Sequence, residues 1–252
     1  MENTIPPCPT TAAIDADIIA YRVAFRAEQD DPAFIPQMIE EYLENWLPAE
    51  TDEFAMCLSC SRKTNYRRDI WPRYKQSRDS QAIPEYLSEV KNYMRDIYNC
   101  EYIDKLEADD LLGMGASNYR TVAVTIDKDL RGVPGWHYNP DKEDAPVHVT
   151  EEEADRFFLI QWMSGDSTDM IPGLWRIGHK RALSFLKKWE GEDIIQNIID
   201  MYSNPKYIPK ETCNLEGEEL ALTMARCVRI LRTGDYDITT SEIDLWVPKV
   251  GV

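Results

Sequence analysis

The chain has 252 residues, with 28 basic and 45 acidic side chains and a formal charge of −17. That length is enough for one large core with a smaller appendage. The charge argues against non-specific affinity for nucleic acid or anionic membranes, so any phosphate contact must be local. No apolar run approaches the ~18 residues of a membrane span, and the first residues lack a signal-peptide pattern. We therefore expect a cytoplasmic protein that does not bind membranes.

Alternating strand and helix patterns predict an α/β core with a mostly parallel sheet. In chain order, the predicted elements are strand 10–17, helix 18–27, helix 32–47, strand 53–59, helix 84–98, strand 122–126 and helix 150–163. Thr150 and Glu153 form a capping box at the start of the last of these helices. From there the chain is helical with short loops to about residue 234.

Cysteine and histidine offer little metal chemistry. The six cysteines are scattered through a chain that needs no disulfides, so we predict reduced thiols. Cys57 and Cys60 form a CxxC pair, but the sequence has no second pair at zinc-like spacing. The three histidines are far apart in the sequence.

Carboxylates recur in this sequence at the positions where α/β proteins commonly bind ligands. Nine of them follow a strand, open a helix or lie in the loop that ends the core: Asp15, Asp17, Glu107, Asp109, Asp110, Asp127, Asp129, Asp166 and Asp169. Ligands of open α/β sheets bind beyond the carboxyl ends of the strands, so these acids converge if their segments share one edge. Acids in a first helical turn also complement the helix dipole, which explains one or two of the three at 107–110.

Such a cluster predicts divalent cations, because carboxylates at contact distance cannot all stay ionised. Hard oxygen ligands without histidine or thiolate suit Mg²⁺ or Mn²⁺, and their number suits two ions about 4 Å apart. Two such ions activate a water molecule and stabilise a departing oxygen. The predicted reaction is phosphodiester hydrolysis.

A basic segment, residues 62–78, interleaves seven cations with Tyr66, Trp71 and Tyr74. Two interpretations are open: the cations and aromatics shield a surface, or they form a gate that grips phosphates and stacks on unpaired bases. The strongly negative chain favours the gate.

A haloacid-dehalogenase-type phosphatase is an alternative. In that interpretation Asp15 is the nucleophile, followed by Asp17, Lys128 and Asp166. It leaves the acids at 107–110 and the basic segment unexplained.

Four blocks resemble the 5′ nuclease family of flap endonucleases and 5′→3′ exonucleases, above all those of tailed bacteriophages. They are "IDADIIAYRVA", "NYRRDIWPRYKQSR", "KLEADDLLG" with "TIDKDL", and "SGDSTDMIPGLWRIGHKRALSFL", spread over residues 12–190. The resemblance implies a three-layer, PIN-like nuclease core over residues 1–164, with an arch or gate at 62–100. It also implies a helical duplex-binding region over 165–252 that contains a helix-three-turn-helix.

The resemblance also implies roles for individual residues. Two Mg²⁺ ions, for which Mn²⁺ can substitute, are held by Asp15, Glu107, Asp109, Asp110, Asp127, Asp129, Asp166 and Asp169. Lys75 and Arg78 are the catalytic cations. The implied DNA contacts are Arg67, Arg68, Tyr74, Gly173, Gly178 and Lys180, with K⁺ near the two glycines. Asp17 is extra relative to the commonest pattern, and we rank it below Asp15.

One departure concerns the segment after the second strand. The family commonly has an aspartate there, whereas this chain offers Ser59, Cys60 and Ser61. Weaker metal binding is therefore expected, and a nuclease-inactive DNA-binding protein of the same fold is the second hypothesis. The implied substrate is duplex DNA with a 5′ end or flap, extended to the RNA of RNA–DNA hybrids. The implied setting is replication or recombination, with the protein acting as a monomer.

Overall fold

The computed structural model describes residues 5–248, which divide into two compact units. The first contains the residues up to 65 together with 81–154 and 230–236, and the second contains 66–80, 155–229 and the residues from 237 onward. The predicted division into functional domains at 164/165 stays a prediction. The compact units do not follow it at every boundary, because part of the basic segment belongs to the second unit.

The first unit is built on a five-stranded sheet. Its strands are β1 (Thr11–Asp15), β2 (Glu53–Cys57), β3 (Val122–Val124), β4 (Gly135–Tyr138) and β5 (Val147–Val149). They are arranged in the order β2-β1-β3-β4-β5, and only the β4–β5 pair is antiparallel. The predicted α/β class with a mostly parallel sheet is confirmed. Sequence analysis missed β4 and β5, because these short strands do not belong to a longer alternating apolar run such as that of residues 122–126.

Nine α-helices lie within residues 5–248: α1 (Ala16–Ala27), α2 (Ile35–Trp46), α3 (Tyr66–Ile70), α4 (Leu87–Tyr98), α5 (Ala108–Ser117), α6 (Glu151–Ser164), α7 (His179–Lys188), α8 (Ile194–Ser203) and α9 (Gly217–Val228). Four further strands have two residues each: β6 (Gly165–Asp166), β7 (Ile171–Pro172), β8 (Tyr236–Asp237) and β9 (Glu242–Ile243). None of the helices described is both long and apolar enough to cross a membrane.

Strand alternation produces three layers in the first unit. Successive side chains of a strand point to opposite faces. Accordingly Ile14 and Val124 pack into a core with α1, α2 and α4, whereas Ala13 and Ala123 pack into a separate core with α5.

Helix boundaries differ from the predictions where proline is involved. Helix α4 begins at Leu87, three residues after Pro84, and the Leu87 N–H donates to the Pro84 carbonyl in a preceding turn. Residues 32–34 form a 3-10 turn ahead of α2. The predicted capping box of α6 is confirmed, because the Glu153 N–H donates to Thr150 Oγ1 and the Thr150 N–H donates to Glu153 Oε2.

The second unit has an aromatic core. Trp71, Trp162 and Tyr202 are all fully buried in it. The Trp162 indole N–H donates to the Ala221 carbonyl at 2.7 Å, and the Tyr202 hydroxyl donates to the Trp162 carbonyl at 2.7 Å. The polar atoms of these large side chains are therefore satisfied, which makes their burial favourable.

Candidate functional site

Asp15 ends β1 and is buried where the parallel strands β1, β2 and β3 reach their carboxyl ends. Register places Asp15 beside Cys57 of β2 and Ile14 beside Val124 of β3. Asp15 Oδ2 accepts a hydrogen bond from Thr125 Oγ1 at 3.0 Å, and Oδ1 accepts from the N–H of Ile18 as the cap of α1. The carboxylate is thus fixed from two sides.

The environment of Asp15 disfavours its charge. The pKa of Asp15 is raised to about 7, first by burial and then by the neighbouring carboxylates of Asp17 and Asp127, while the hydrogen bonds from Thr125 and Ile18 oppose the shift. A buried carboxylate among other carboxylates is stabilised by a nearby cation. This edge of the sheet therefore has the electrostatics of a cation site.

Asp17 lies in the first turn of α1, and not at the end of the strand as predicted. Its Oδ1 pairs with Lys91 Nζ at 2.5 Å, and its Oδ2 accepts the N–H of Ser59 at 2.9 Å. Ser59 Oγ in turn accepts the N–H of Ala108 at 2.9 Å. Asp17 is therefore neutralised by a lysine, and Ser59 joins the segment after β2 to the start of α5. Ser59 belongs to the segment after β2 in which the expected aspartate is missing.

Of the three acids at 107–110, two form hydrogen bonds that stabilise the start of α5, and the third is partly exposed to solvent. Glu107 caps α5, and Glu107 and Asp110 form a reciprocal capping box in which the Glu107 N–H donates to Asp110 Oδ2 at 3.1 Å. Asp110 is fully buried, and its Oδ1 also accepts the N–H of Leu231 at 3.1 Å. Asp109 remains half-buried. Sequence reasoning anticipated acids at a helix start but not that both oxygens of Asp110 hold backbone amides.

Asp127 and Asp129 follow β3 by a few residues. The strand ends at Val124, and Asp127 caps a 3-10 turn by accepting the Asp129 N–H at 2.9 Å. Asp127 is exposed, whereas Asp129 is half-buried. Both therefore lie in the loop that leaves the carboxyl end of β3, next to Thr125.

In the second unit, two predicted catalytic cations meet a predicted metal ligand. Asp169 pairs with Arg78 Nη2 at 2.5 Å and with Lys75 Nζ at 3.4 Å. The Lys75 N–H also donates to the Asp169 carbonyl at 2.9 Å, and Lys75 has a φ of +51°. Such left-handed backbone is uncommon outside glycine and concentrates at functional sites. Asp166 Oδ1 accepts the N–H groups of Thr168 and Asp169, which orders the loop.

The aromatic residues of the basic segment are buried, so they do not form an exposed stacking surface. Tyr66, Trp71 and Tyr74 are 4%, 0% and 3% exposed. The Trp71 indole N–H donates to the Met170 carbonyl at 2.9 Å, and the Tyr74 hydroxyl lies 3.4 Å from Asp169 Oδ2. These side chains support the loop that carries Asp169. The expected stacking on unpaired bases is therefore not available to them in this structure.

Arg67, a predicted DNA contact, is buried in the structure. Its side chain is buried, its Nε–H donates to the Cys227 carbonyl at 3.1 Å, and its Nη2 donates to the Arg229 carbonyl at 2.7 Å. These bonds satisfy carbonyls at the end of α9, which gives Arg67 a structural role. Arg68 is half-buried and pairs with Asp79 at 2.7 Å. A count of cations in sequence does not reveal which of them point inward.

The predicted DNA-binding glycines have different surroundings. A Cβ on Gly173 would lie 2.1 Å from the carbonyl carbon of Ser164, so close backbone contact requires glycine there. A Cβ on Gly178 would meet open space. Gly178 precedes α7, and Lys180 is exposed in the first turn of that helix.

Within residues 5–248, no three His, Cys, Asp or Glu side chains are grouped so that they could hold a metal ion together. Three of the predicted ligands have other partners, since Lys91 pairs with Asp17, a backbone amide donates to Asp110, and Lys75 and Arg78 pair with Asp169. The chemistry of the first-unit donors, oxygen atoms beside a buried carboxylate of raised pKa, nevertheless fits a hard divalent cation.

The fold is similar to that of solved 5′-exonuclease and flap endonuclease structures. No family model matches the sequence. The flap endonuclease D15 of bacteriophage T5, solved as a pseudo-enzyme-product complex with DNA and metal ions, shares the fold with a TM-score of 0.63. That match has 17% sequence identity and covers 86% of this chain and 88% of the T5 chain. The predicted PIN-like core followed by a helical region is therefore confirmed.

Two of the sequence relatives are exonucleases of phages. The chain is 24% identical over 284 residues to the exodeoxyribonuclease of Enterobacteria phage T3, covering 94% of this chain and 92% of the relative. It is 25% identical over 287 residues to the exonuclease of Escherichia phage T7, covering 93% and 92%. The predicted resemblance to the 5′ nucleases is confirmed. These relatives favour the nuclease over the phosphatase alternative.

Proposed function

We propose that this chain hydrolyses phosphodiester bonds of duplex DNA, starting from a 5′ end or flap, with the help of divalent cations. The observation that carries the proposal is Asp15, a buried carboxylate with raised pKa that faces other carboxylates at the carboxyl edge of a parallel sheet. The phage relatives, named as exonucleases, support the reaction class.

Mg²⁺ is the proposed cation, with Mn²⁺ as a substitute. In the first unit, Asp15 and Asp127 are the proposed primary ligands, with Glu107, Asp109 and Asp129 as additional oxygen donors. When bound, the cation supplies charge neutralisation for a phosphate oxygen and lowers the pKa of a water molecule. A second ion held with Asp166 and Asp169, and K⁺ near Gly173 and Gly178, remain parts of the proposal that rest on the family resemblance.

Lys75 and Arg78 are proposed to stabilise the negative charge that develops on the phosphate during cleavage. Both cations are held by one carboxylate, Asp169, so their positions are restricted before DNA arrives. Preorganised charges of this kind are worth more than mobile ones, because they need no rearrangement at the moment of reaction.

Incubation of 5′-labelled duplexes with the protein tests the proposed reaction. We expect products in Mg²⁺ or Mn²⁺, and binding without products in Ca²⁺. Flapped, nicked, blunt and RNA–DNA hybrid substrates, mapped by product length, then define the preferred end. DNA binding in Ca²⁺ with no product in either Mg²⁺ or Mn²⁺ would leave only the nuclease-inactive binding protein.

Replacing Lys75 should slow turnover more than it weakens binding. For Lys75→Met we expect single-turnover cleavage to fall about 100-fold or more, because a charge acting on the transition state is lost. The dissociation constant in Ca²⁺ should change about threefold or less. Lys63→Met is a matched control, since Lys63 is an exposed cation of the same basic segment. Equal losses of binding and turnover in Lys75→Met would refute the assigned role.

A further inference from the structure

Met170 follows Asp169 directly and has left-handed backbone, with a φ of +57°. Few residues other than glycine, asparagine and aspartate adopt this conformation. Lys75 has a similar φ of +51°, and its N–H donates to the Asp169 carbonyl at 2.9 Å. Two left-handed residues therefore lie at one backbone contact of the second unit. Such backbone persists only where the surrounding contacts hold it.

Two hydrogen bonds from the basic segment hold Met170. Its carbonyl accepts the indole N–H of Trp71 at 2.9 Å, and Trp71 is fully buried. Its Sδ accepts the backbone N–H of Ser77 at 3.1 Å. The first bond fixes the Met170 backbone to a closely packed side chain. The second joins the Met170 side chain to the backbone of the basic segment.

Ser77 lies between the two proposed catalytic cations in the sequence. It belongs to the 3-10 turn Gln76–Ser80, which also contains Arg78. The Arg78 N–H donates to the Lys75 carbonyl at 3.0 Å, so this backbone bond spans Ser77. Both cations pair with Asp169, the residue before Met170. A shift of the Ser77 amide would therefore move Lys75 and Arg78 relative to Asp169.

The bond from Ser77 to sulfur contributes little to stability. A thioether is a weak acceptor. Ser77 is exposed, so water can satisfy its N–H when the sulfur is absent. The consequence of this contact is therefore the position of the 3-10 turn, and not the free energy of unfolding.

We propose that Met170 is a positioning residue for cleavage, whose sulfur holds the turn that keeps Lys75 and Arg78 in the geometry in which they act on the phosphate. The inference rests on the proposed function and deepens it by one residue that touches neither DNA nor cation. A displacement of about 1 Å is enough to lower a rate about 100-fold. A weak contact can thus have a large effect on turnover and a small effect on binding.

Two substitutions of similar size test the role of the sulfur. Met170→Leu removes the acceptor, whereas Met170→Gln supplies an amide oxygen for the Ser77 N–H, and both keep a side chain on left-handed backbone. Single-turnover cleavage of a 5′-labelled flap duplex should slow about tenfold or more in Met170→Leu, with a change of about twofold or less in the dissociation constant in Ca²⁺. Met170→Gln should cleave within about threefold of the unaltered protein. Met114→Leu, at a half-buried methionine of the first unit, is the matched control.

A double-mutant cycle with Arg78→Met distinguishes positioning from a general effect on the fold. If Met170 acts through the cations, Met170→Leu should slow cleavage much less in the Arg78→Met background than alone. An effect on the fold would lower both rates by the same factor. Hydrogen exchange of the metal-free protein gives a measurement independent of activity. The amides of residues 76–80 should exchange faster in Met170→Leu than in Met170→Gln.

Failure of this inference differs from failure of the proposed function. If the unaltered protein cleaves, Arg78→Met is slow and Met170→Leu cleaves like the control, the role of Met170 is refuted and the nuclease function stands. If the unaltered protein cleaves with no divalent cation, the proposed function fails and the role of Met170 with it. Thermal melts check folding, and Met170→Ala replaces Met170→Leu in the same measurements if the leucine variant does not fold.

Discussion

Asp15→Asn should make the metal-free protein more stable at pH 8 while abolishing cleavage. The pKa of Asp15 is raised from 3.8 to about 7 by burial, so the folded state binds a proton that the unfolded state has already lost across this window. The stability of the unaltered protein should therefore fall as the pH rises from about 4 to 7. At 1.36 kcal/mol per pKa unit the loss is at most about 4 kcal/mol. An asparagine removes this loss and keeps an oxygen for Thr125.

Urea unfolding in EDTA at pH 5 and pH 8 measures this effect. The unaltered protein should be less stable at pH 8 than at pH 5, and Asp15→Asn should show a smaller difference. Mg²⁺ should then stabilise the unaltered protein but not Asp15→Asn, because a ligand that binds only the folded state adds its binding free energy to stability. Asp96→Asn, at an exposed acid of the same unit, is the control. Equal pH dependence in all three proteins would contradict the assignment.

Asp110→Ala should destabilise the fold as well as abolish activity. Both oxygens of Asp110 hold backbone N–H groups, those of Glu107 and Leu231, in a fully buried place. Each buried donor left without an acceptor costs about 1–3 kcal/mol, so we expect a loss of about 2–4 kcal/mol in the free energy of unfolding. This differs from the simple view that removing an acid from a repelling cluster improves stability.

Comparison with Asp109→Ala distinguishes an effect on the free energy of unfolding from an effect on cleavage. Asp109 is half-buried, and its removal should lower the free energy of unfolding by about 1 kcal/mol or less while still abolishing cleavage. Chemical denaturation of both variants without metal gives the difference. If Asp110→Ala unfolds at the same denaturant concentration as the unaltered protein, the hydrogen bonds assigned to Asp110 have no net effect on stability.

Sequence patterns were sufficient for the parts of the fold with clear periodicity. The alternation in β1 and β3 and the capping box of α6 each leave a local signature that survives folding. The position of Asp15 followed from the same logic, because carboxyl ends of parallel strands meet at one edge.

Other features depend on contacts between residues far apart in sequence. Arg67 satisfies carbonyls 160 and 162 residues away, and Trp71 donates to a carbonyl 99 residues away. In sequence, both residues read as members of an exposed, DNA-gripping segment.

Ser59 connects the segment after β2 to the start of α5. It anchors the first turn of α5 through an uncharged oxygen, and its own amide is anchored by Asp17. An aspartate there would add another negative charge beside Asp17. The hydrogen bond between Ser59 Oγ and the Ala108 N–H joins two uncharged groups, so screening by salt has little effect on it. The contact between the segment after β2 and the start of α5 should consequently persist at high ionic strength.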